Sequence, residues 1–302
     1  MRFLLALVFL SFGTLAWAQD AEEEVTWARR EAPTLPFPVR FQGVEVFNRL
    51  VTRAHKENWN KLELGERVAT VGKALVGTPY KGFTLEVDDK IEAPSVNLHG
   101  LDCWTFFEVS LAFARMLELP PQCHTPEILL AYIELDRYRG GFCDGSYLSR
   151  LHYLADWLFD NAAGGMVKDF SRELGGERLY KQCREMTNGW KQYRYLKANP
   201  SLLKAMAVHE KRISALPVYH VPKNRVAAME PQLRNGDVIG ITARDNGAFC
   251  SHVGLALRDE KGVLHFMHAS SNYKKVVIDK RLSDYLKDFK SHAGILVARP
   301  MQ

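Results

Sequence analysis

The chain has 302 residues, 47% of them hydrophobic and 25% charged, with a formal net charge of +5. The positive charge is spread along the sequence with no run of five or more basic residues, which argues against nucleic acid as a partner. The length suits one large domain, or one domain with a sizeable insertion.

Arg2, the apolar run Phe3 to Phe12 and the triplet Ala16-Trp17-Ala18 read as an export signal cleaved after residue 18. The mature chain is expected to start near Gln19, to be exported to the periplasm and to make no stable membrane insertion. No later segment approaches the ~20 consecutive apolar residues of a membrane span. No cysteine immediately follows the cut, which argues against a lipid anchor. The expected organisation is a signal peptide 1–18, a lead-in 19–58 and one folded domain 59–302 with an insertion at about 120–200.

Residues 19–40 are acidic and then proline-rich, and read as a loose lead-in. Trp59 to Val76 has apolar residues at helical spacing and stops at Gly77-Thr78-Pro79-Tyr80. Leu101 to Leu119 is a second helix closed by Pro120-Pro121, with Asp102 placed to cap it and Cys103 in its first turn. Helical stretches follow at Thr125 to Tyr138 and Ser149 to Phe159, and Asn199-Pro200 starts another through Leu216. From Asp237 the period becomes strand-like. Val238 to Ala243, His252 to Arg258, Val263 to His268, Lys275 to Asp279 and Gly294 to Arg299 are short alternating or apolar runs.

Cys103 opens an apolar helix, and His252 and His268 lie on late strands. A thiol becomes a nucleophile when deprotonated, and a helix N-terminus and a nearby imidazole both favour that. A second polar group on the same sheet face can hold the imidazole in one tautomer. Asp259-Glu260-Lys261-Gly262 separates two of the strands, and a three-residue loop with left-handed Gly262 pairs Asp259 with Val263. Gly254 then faces His268, and His252 sits diagonally from it at about 7–8 Å, within reach of two imidazoles. His265 points to the other face, so the register selects His268 as partner. A cysteine at a helix start or a lone strand histidine is usually structural; the combination carries the reading. The order helix cysteine, strand histidine, strand polar residue is papain-like. The expected fold is α+β: a cysteine-bearing helix packed on a C-terminal antiparallel sheet, with a mainly helical insertion.

Five cysteines occur, at positions 103, 123, 143, 183 and 250. In an oxidising compartment an odd count leaves at least one thiol free, and Cys103 is the candidate; the pairing of the others stays open. Neither H-E-x-x-H nor paired C-x-x-C motifs occur, so no metal and no cofactor are expected.

Gly77-Thr78-Pro79-Tyr80, Leu101-Asp102-Cys103, Gly236-Asp237-Val238-Ile239, His252-Val253-Gly254 and His268-Ala269-Ser270-Ser271 occur in the order of NlpC-type cell-wall hydrolases, which the chain resembles over roughly residues 59–300. More narrowly it resembles their N-acetylmuramoyl-L-alanine amidase branch. That branch's signature is similar to Arg137-Tyr138-Arg139-Gly140-Gly141, Tyr147 to Tyr153 and Ala155-Asp156-Trp157. The resemblance implies Cys103 as nucleophile, His252 as base, His268 as orienting residue and Tyr80 beside the thiol as an oxyanion donor. It implies peptidoglycan or a muropeptide as substrate. Endopeptidase relatives carry a small Ser-Gly after the cysteine, whereas Trp104-Thr105 follows here, which favours the amidase branch. The insertion's Arg137, Tyr147, Arg150, His152 and Trp157 are candidate saccharide contacts, because aromatic faces stack on sugars and arginine pairs with carboxylate or acetamide oxygens. Two other functions compete: a γ-D-glutamyl–diamino-acid endopeptidase with the same triad, and a wall-binding module without catalysis.

Overall fold

The computed structural model describes residues 35–244 and 247–302. The signal segment and the acidic part of the lead-in lie outside the described residues. No helix among the described residues is long and apolar enough to cross a membrane.

The last part of the lead-in is helical. Val44–Lys56 forms helix α1, which buries Phe47, Leu50 and Ala54 on one face. The helix expected over Trp59 to Val76 is shorter, because Leu62 and Glu63 are extended; a 3₁₀ turn at Trp59–Lys61 precedes α2 at Leu64–Ala74. Helix α3 runs Cys103–Met116 and begins where Asp102 caps it. The Thr105 N–H donates to Asp102 Oδ1 at 2.8 Å, and the Asp102 N–H donates back to Thr105 Oγ1 at 3.0 Å. Every α3 residue from Thr105 to Met116 is buried. Such a helix must satisfy its polar groups internally. Glu108 does so against Arg137, which closes α4 (Pro126–Arg137) and reaches it at 2.8 Å and 3.0 Å.

Helix α5 spans Leu154–Ala163, later than the predicted Ser149 to Phe159. Tyr147–Ser149 is a 3₁₀ turn, and Arg150 is extended because it pairs across to Tyr138 and Leu151 donates to the Arg137 carbonyl. Two short strands follow, β1 (Val167–Asp169) and β2 (Glu177–Arg178). Helix α6 is Leu203–Ser214, entered through a 3₁₀ turn at Pro200–Leu202. Asn199 does not cap it; its amide donates to the Asp89 and Tyr195 carbonyls instead.

The C-terminal sheet is antiparallel. Its members are β3 (Tyr219–Pro222), β4 (Val238–Ala243), β5 (Cys250–Arg258), β6 (Leu264–Ser270), β7 (Lys275–Arg281) and β8 (His292–Pro300). Strand order is β2-β3-β8-β4-β5-β6-β7, with β1 also paired to β8. Val253, Leu255, Met267 and Ala269 share a core with α2 and α3, whereas Ala256, Phe266 and Ile239 share another with α7 (Lys223–Met229) and α8 (Leu282–Lys287). The insertion's aromatics Tyr147, Tyr153 and Tyr195 pack with Phe249 and Leu296, so the inserted helices share a core with the sheet.

The β5–β6 hairpin has the expected register: Leu255 faces Met267 and Leu257 faces His265. Gly262 is left-handed at φ +80°, and the Asp259 N–H donates to the Val263 carbonyl. Gly254 lies against His268, where an added Cβ would come within 2.8 Å of the His268 Cβ. Glycine is required there so that two strands can hold an imidazole between them.

The Glu108–Arg137 pair should be essential to folding. Arg137→Met leaves Glu108 buried and unpaired, and should cost about 3–5 kcal/mol, read as a lowered urea midpoint at unchanged slope.

Candidate active site

The capping box sets Cys103 at the first helical position of α3. The strand-like segment Gly77 to Tyr80 is held beside it. Gly77 and Tyr80 donate to the Val276 and Lys274 carbonyls, and Leu101 donates to Pro79. Tyr80 is thereby bridged to Leu101, and it lines the same cavity as Cys103. Burial, with the charges of Cys103 and Asp102, pushes the Tyr80 hydroxyl up to about 12, so it is a donor at neutral pH. The backbone N–H groups of Val253, Cys103 and Trp104 lie near the Cys103 sulfur and favour a thiolate. Burial and the Asp102 carboxylate outweigh them and push the thiol up to about 12. The helix N-terminus therefore does not by itself ionise this cysteine.

Val253 follows His252, so the sulfur sits against the backbone that carries the imidazole. One extra residue, Ser251, interrupts the β4–β5 pairing just before His252. Such a bulge bends a strand and re-aims the next side chain. His252 Nε2 lies 2.7 Å from His268 Nδ1, with the rings perpendicular. His268 is clamped between Phe266 at 4.7 Å and Tyr285 of α8 at 5.3 Å. Burial, together with His268 and His292, pulls the His252 imidazole down to about 3, and burial also lowers His268. At neutral pH the site therefore holds a neutral thiol and neutral imidazoles. His265 points away and meets the Asp279 carbonyl at 2.8 Å and Asp259 at 3.0 Å.

Cys103 and His252 line one cavity of about 370 Å³. The five insertion residues divide around it. Tyr147, Arg150 and His152 line it; Arg137 and Trp157 do not. Arg137 is 1% exposed and spends its guanidinium on Glu108 and the Ser95 carbonyl, and Trp157 is 0% exposed with its indole donating to Asp136. Both predicted saccharide contacts are thus corrected to core residues. Arg137 acts on the wall indirectly, because Glu108 also accepts from the Trp104 indole at 2.5 Å, and Trp104 lines the cavity. Arg150 is in the wall but buried, with its cation between Glu86 (3.5 Å) and Glu92 (3.3 Å) and over the Tyr147 ring. His152 is bonded to the Tyr147 carbonyl at 2.8 Å, and its ring lies 4.4 Å from that of Tyr147.

Several wall residues escape the sequence reading. Phe83 is 62% exposed on a left-handed backbone (φ +59°), edge-on to Tyr193 at 6.4 Å, and both line the cavity. A non-glycine residue there is strained, and an exposed ring gains little from burial to offset it. Cys250 lines the cavity as well. All five cysteines are unbridged. Among the described residues no group of three or more His, Cys, Asp or Glu is placed to hold a metal ion.

A family model described as AmiA-like, N-acetylmuramoyl-L-alanine amidase-like, matches residues 70–295. The chain belongs to this family. Among solved structures, an N-acetylmuramoyl-L-alanine amidase from Bacteroides uniformis is 30% identical at a TM-score of 0.72, covering 79% of this chain and 99% of that one. A Bacteroides fragilis protein provisionally called a xylanase is 36% identical at a TM-score of 0.70, covering 76% and 99%. A Legionella pneumophila protein at 22% identity and a TM-score of 0.63 shares the fold, covering 85% and 95%. No protein with a curated description matches the chain.

Acid should expose the cost of the buried histidines. Burial, with Lys223 nearby, pulls His292 down to about 4, against about 6.5 in an unfolded chain. Between those values the unfolded state binds the extra proton, so this stability is present above pH 6.5 and lost as pH falls toward 4. Buried carboxyls such as Glu92 shift upward and oppose the trend, so the difference between variants is the readout. The stability deficit of His292→Leu relative to wild type should shrink as pH drops from 7 to 4.5, measured by urea midpoints; a constant difference contradicts it.

Proposed function

We propose that this member of the amidase-like family is an exported, papain-like cysteine hydrolase that cleaves the amide between N-acetylmuramic acid and L-alanine, in peptidoglycan or its fragments. The observation that carries the reading is the meeting of Cys103, at the start of a buried helix, with His252 in one cavity, His252 being backed by His268. The family and the 30%-identical Bacteroides uniformis amidase support the bond that is cut.

In the proposed reaction the Cys103 sulfur attacks the lactyl carbonyl carbon as its proton passes to His252. The oxyanion accepts from the Cys103 backbone N–H and the Tyr80 hydroxyl. Collapse breaks the C–N bond, and His252 returns the proton to the leaving L-alanine amine. Water, deprotonated by His252, then attacks the thioester and releases the lactyl carboxylic acid and the free thiol. Because thiol and imidazole are both neutral at rest, charge separates only when substrate is in place. Phe83, with Tyr193 and His152 in the same wall, supplies flat faces for a sugar ring. Tyr147 is 1% exposed and stacked on Tyr195, and so supports the wall from behind. Trp104 narrows the cavity beside the sulfur.

Cys103→Ala should lower turnover by at least about a thousandfold with the fold retained; a tenth of wild-type turnover would put the nucleophile elsewhere. Activity should survive excess chelator and vanish with iodoacetamide. Mass spectrometry of a digested disaccharide-peptide should show free peptide beginning with L-alanine. Efficient cut of the sugar-free peptide after D-glutamate would assign the endopeptidase reaction instead.

Phe83→Ala should raise KM several-fold on the disaccharide-peptide with little change in kcat, since a stacking contact worth about 1 kcal/mol is made equally in ground and transition states. Unchanged KM would remove Phe83 from the binding wall.

A further inference from the structure

The β6–β7 pairing is broken by a second bulge. His265 faces Arg281 and Met267 faces Ile278, so Asp279 and Lys280 together oppose Phe266. The bulge leaves the Asp279 side chain only 8% exposed, and its Oδ2 lies 3.3 Å from His268 Nε2. Its backbone is held from the opposite side, where the His265 ring meets the Asp279 carbonyl at 2.8 Å. A buried carboxylate reached through a strand irregularity, behind two bonded imidazoles, is a costly arrangement to keep for packing alone.

Resting on the thiol–imidazole reading above, we propose that Asp279 is a positioning residue that fixes the tautomers of His268 and His252 so that the ring nitrogen left to the cavity is a base. The donor inventory allows one arrangement. A carboxylate only accepts, so His268 Nε2 carries its proton and, in the neutral ring, Nδ1 is a lone pair. His252 Nε2, 2.7 Å away, must then donate to it. The neutral His252 ring keeps its lone pair on Nδ1, the nitrogen free to take a thiol proton. When His252 becomes cationic, the carboxylate on the far side of His268 stabilises the cation through that ring. Other titratable groups around this line are Tyr285 on α8, His292 on β8, Tyr273, His265 and Lys280 near Asp279, Asp288 paired with Lys280, and Cys103 itself.

The second carboxylate oxygen makes the test sharp. Asp279 Oδ1 accepts from the Lys280 N–H at 2.7 Å. In Asp279→Asn the amide oxygen keeps that bond, so the NH₂ replaces Oδ2 and donates to His268 Nε2. The tautomer chain then reverses and puts a proton on His252 Nδ1. The isosteric variant should keep the wild-type thermal midpoint within about 2 °C, yet lower kcat and the rate of Cys103 alkylation by iodoacetamide at pH 7. The loss should lie on the order of 10²–10⁴-fold, the range between loss of a histidine's outer partner and reversal of its tautomer. KM should stay within about twofold, and alkylation should approach wild-type rates only where pH ionises the thiol unaided. Asp279→Ala should give a smaller loss with a lower midpoint. Alkylation and kcat of Asp279→Asn within twofold of wild type across pH 6–9 would overturn the proposal. Alkylation needs no wall substrate, so a wild-type enzyme that releases no L-alanyl peptide while Asp279→Asn still alkylates slowly would sink the amidase reading and leave the relay standing.

Discussion

The site depends on the complete burial of α3. Twelve consecutive residues, Thr105 to Met116, are out of water on every side of the helix, packed between α2, α4 and the strands β5 and β6. A helix so enclosed cannot slide or tilt without opening cavities around Phe106, Phe107 and Phe113, each worth about 1.5–3 kcal/mol of burial. Its first turn is therefore a fixed point. Cys103 sits on that point, and the Val253 backbone lies near its sulfur because β5 is part of what encloses the helix. The polar residues that α3 carries inward are then committed to partners. Glu108 joins Arg137 and the Trp104 indole, so one buried carboxylate both anchors α4 and sets the wall residue next to the cysteine.

The same enclosure sets the electrostatics. Desolvation disfavours both members of a thiolate–imidazolium pair, driving the thiol up to about 12 and the imidazole down to about 3. The dipole of α3 and nearby backbone N–H groups act in the opposite direction, and they lose to burial, to which Asp102, the residue that caps the helix, adds a negative charge beside the sulfur. The feature that orders the helix start is thus also one that holds the thiol neutral. Capping and activation compete at a single carboxylate.

Much of this geometry was legible in the sequence because it is local. Asp102 with Thr105 three residues on announces a helix start, and Gly262 four residues after Arg258 fixes a hairpin whose parity pairs His252 with His268 and turns His265 away. Helix α1 was equally local, since Phe47, Leu50 and Ala54 have helical spacing. The remainder is long-range. Arg137 and Trp157 look like saccharide contacts because an arginine among aromatics has the same composition whether it faces a sugar or a buried carboxylate. Only the partner decides, and Glu108 lies 29 residues away in sequence. Asp279 was hidden for another reason. Strand parity assumes a regular ladder, and a bulge breaks that assumption at the residue it re-aims.

The two bulges divide the work of the sheet. A regular antiparallel ladder places side chains in fixed alternation, and a line of three polar groups running inward from a cavity would need a polar residue at three core-facing positions. Ser251 shifts β5 at one end of the line and Asp279-Lys280 shifts β7 at the other, while Gly254 opens the space between strands for the His268 ring. Between these irregularities the ladder stays intact, with Leu255, Met267 and Ala269 still facing α3. The sheet therefore keeps one apolar face for α3 and carries the polar line on the other, beside the second core shared with α7 and α8. In the proposed reaction that separation has a purpose. Charge develops at sulfur and imidazole only on attack, and it then meets fixed dipoles and a fixed carboxylate that need not reorganise, because the packing that orders them was completed on folding.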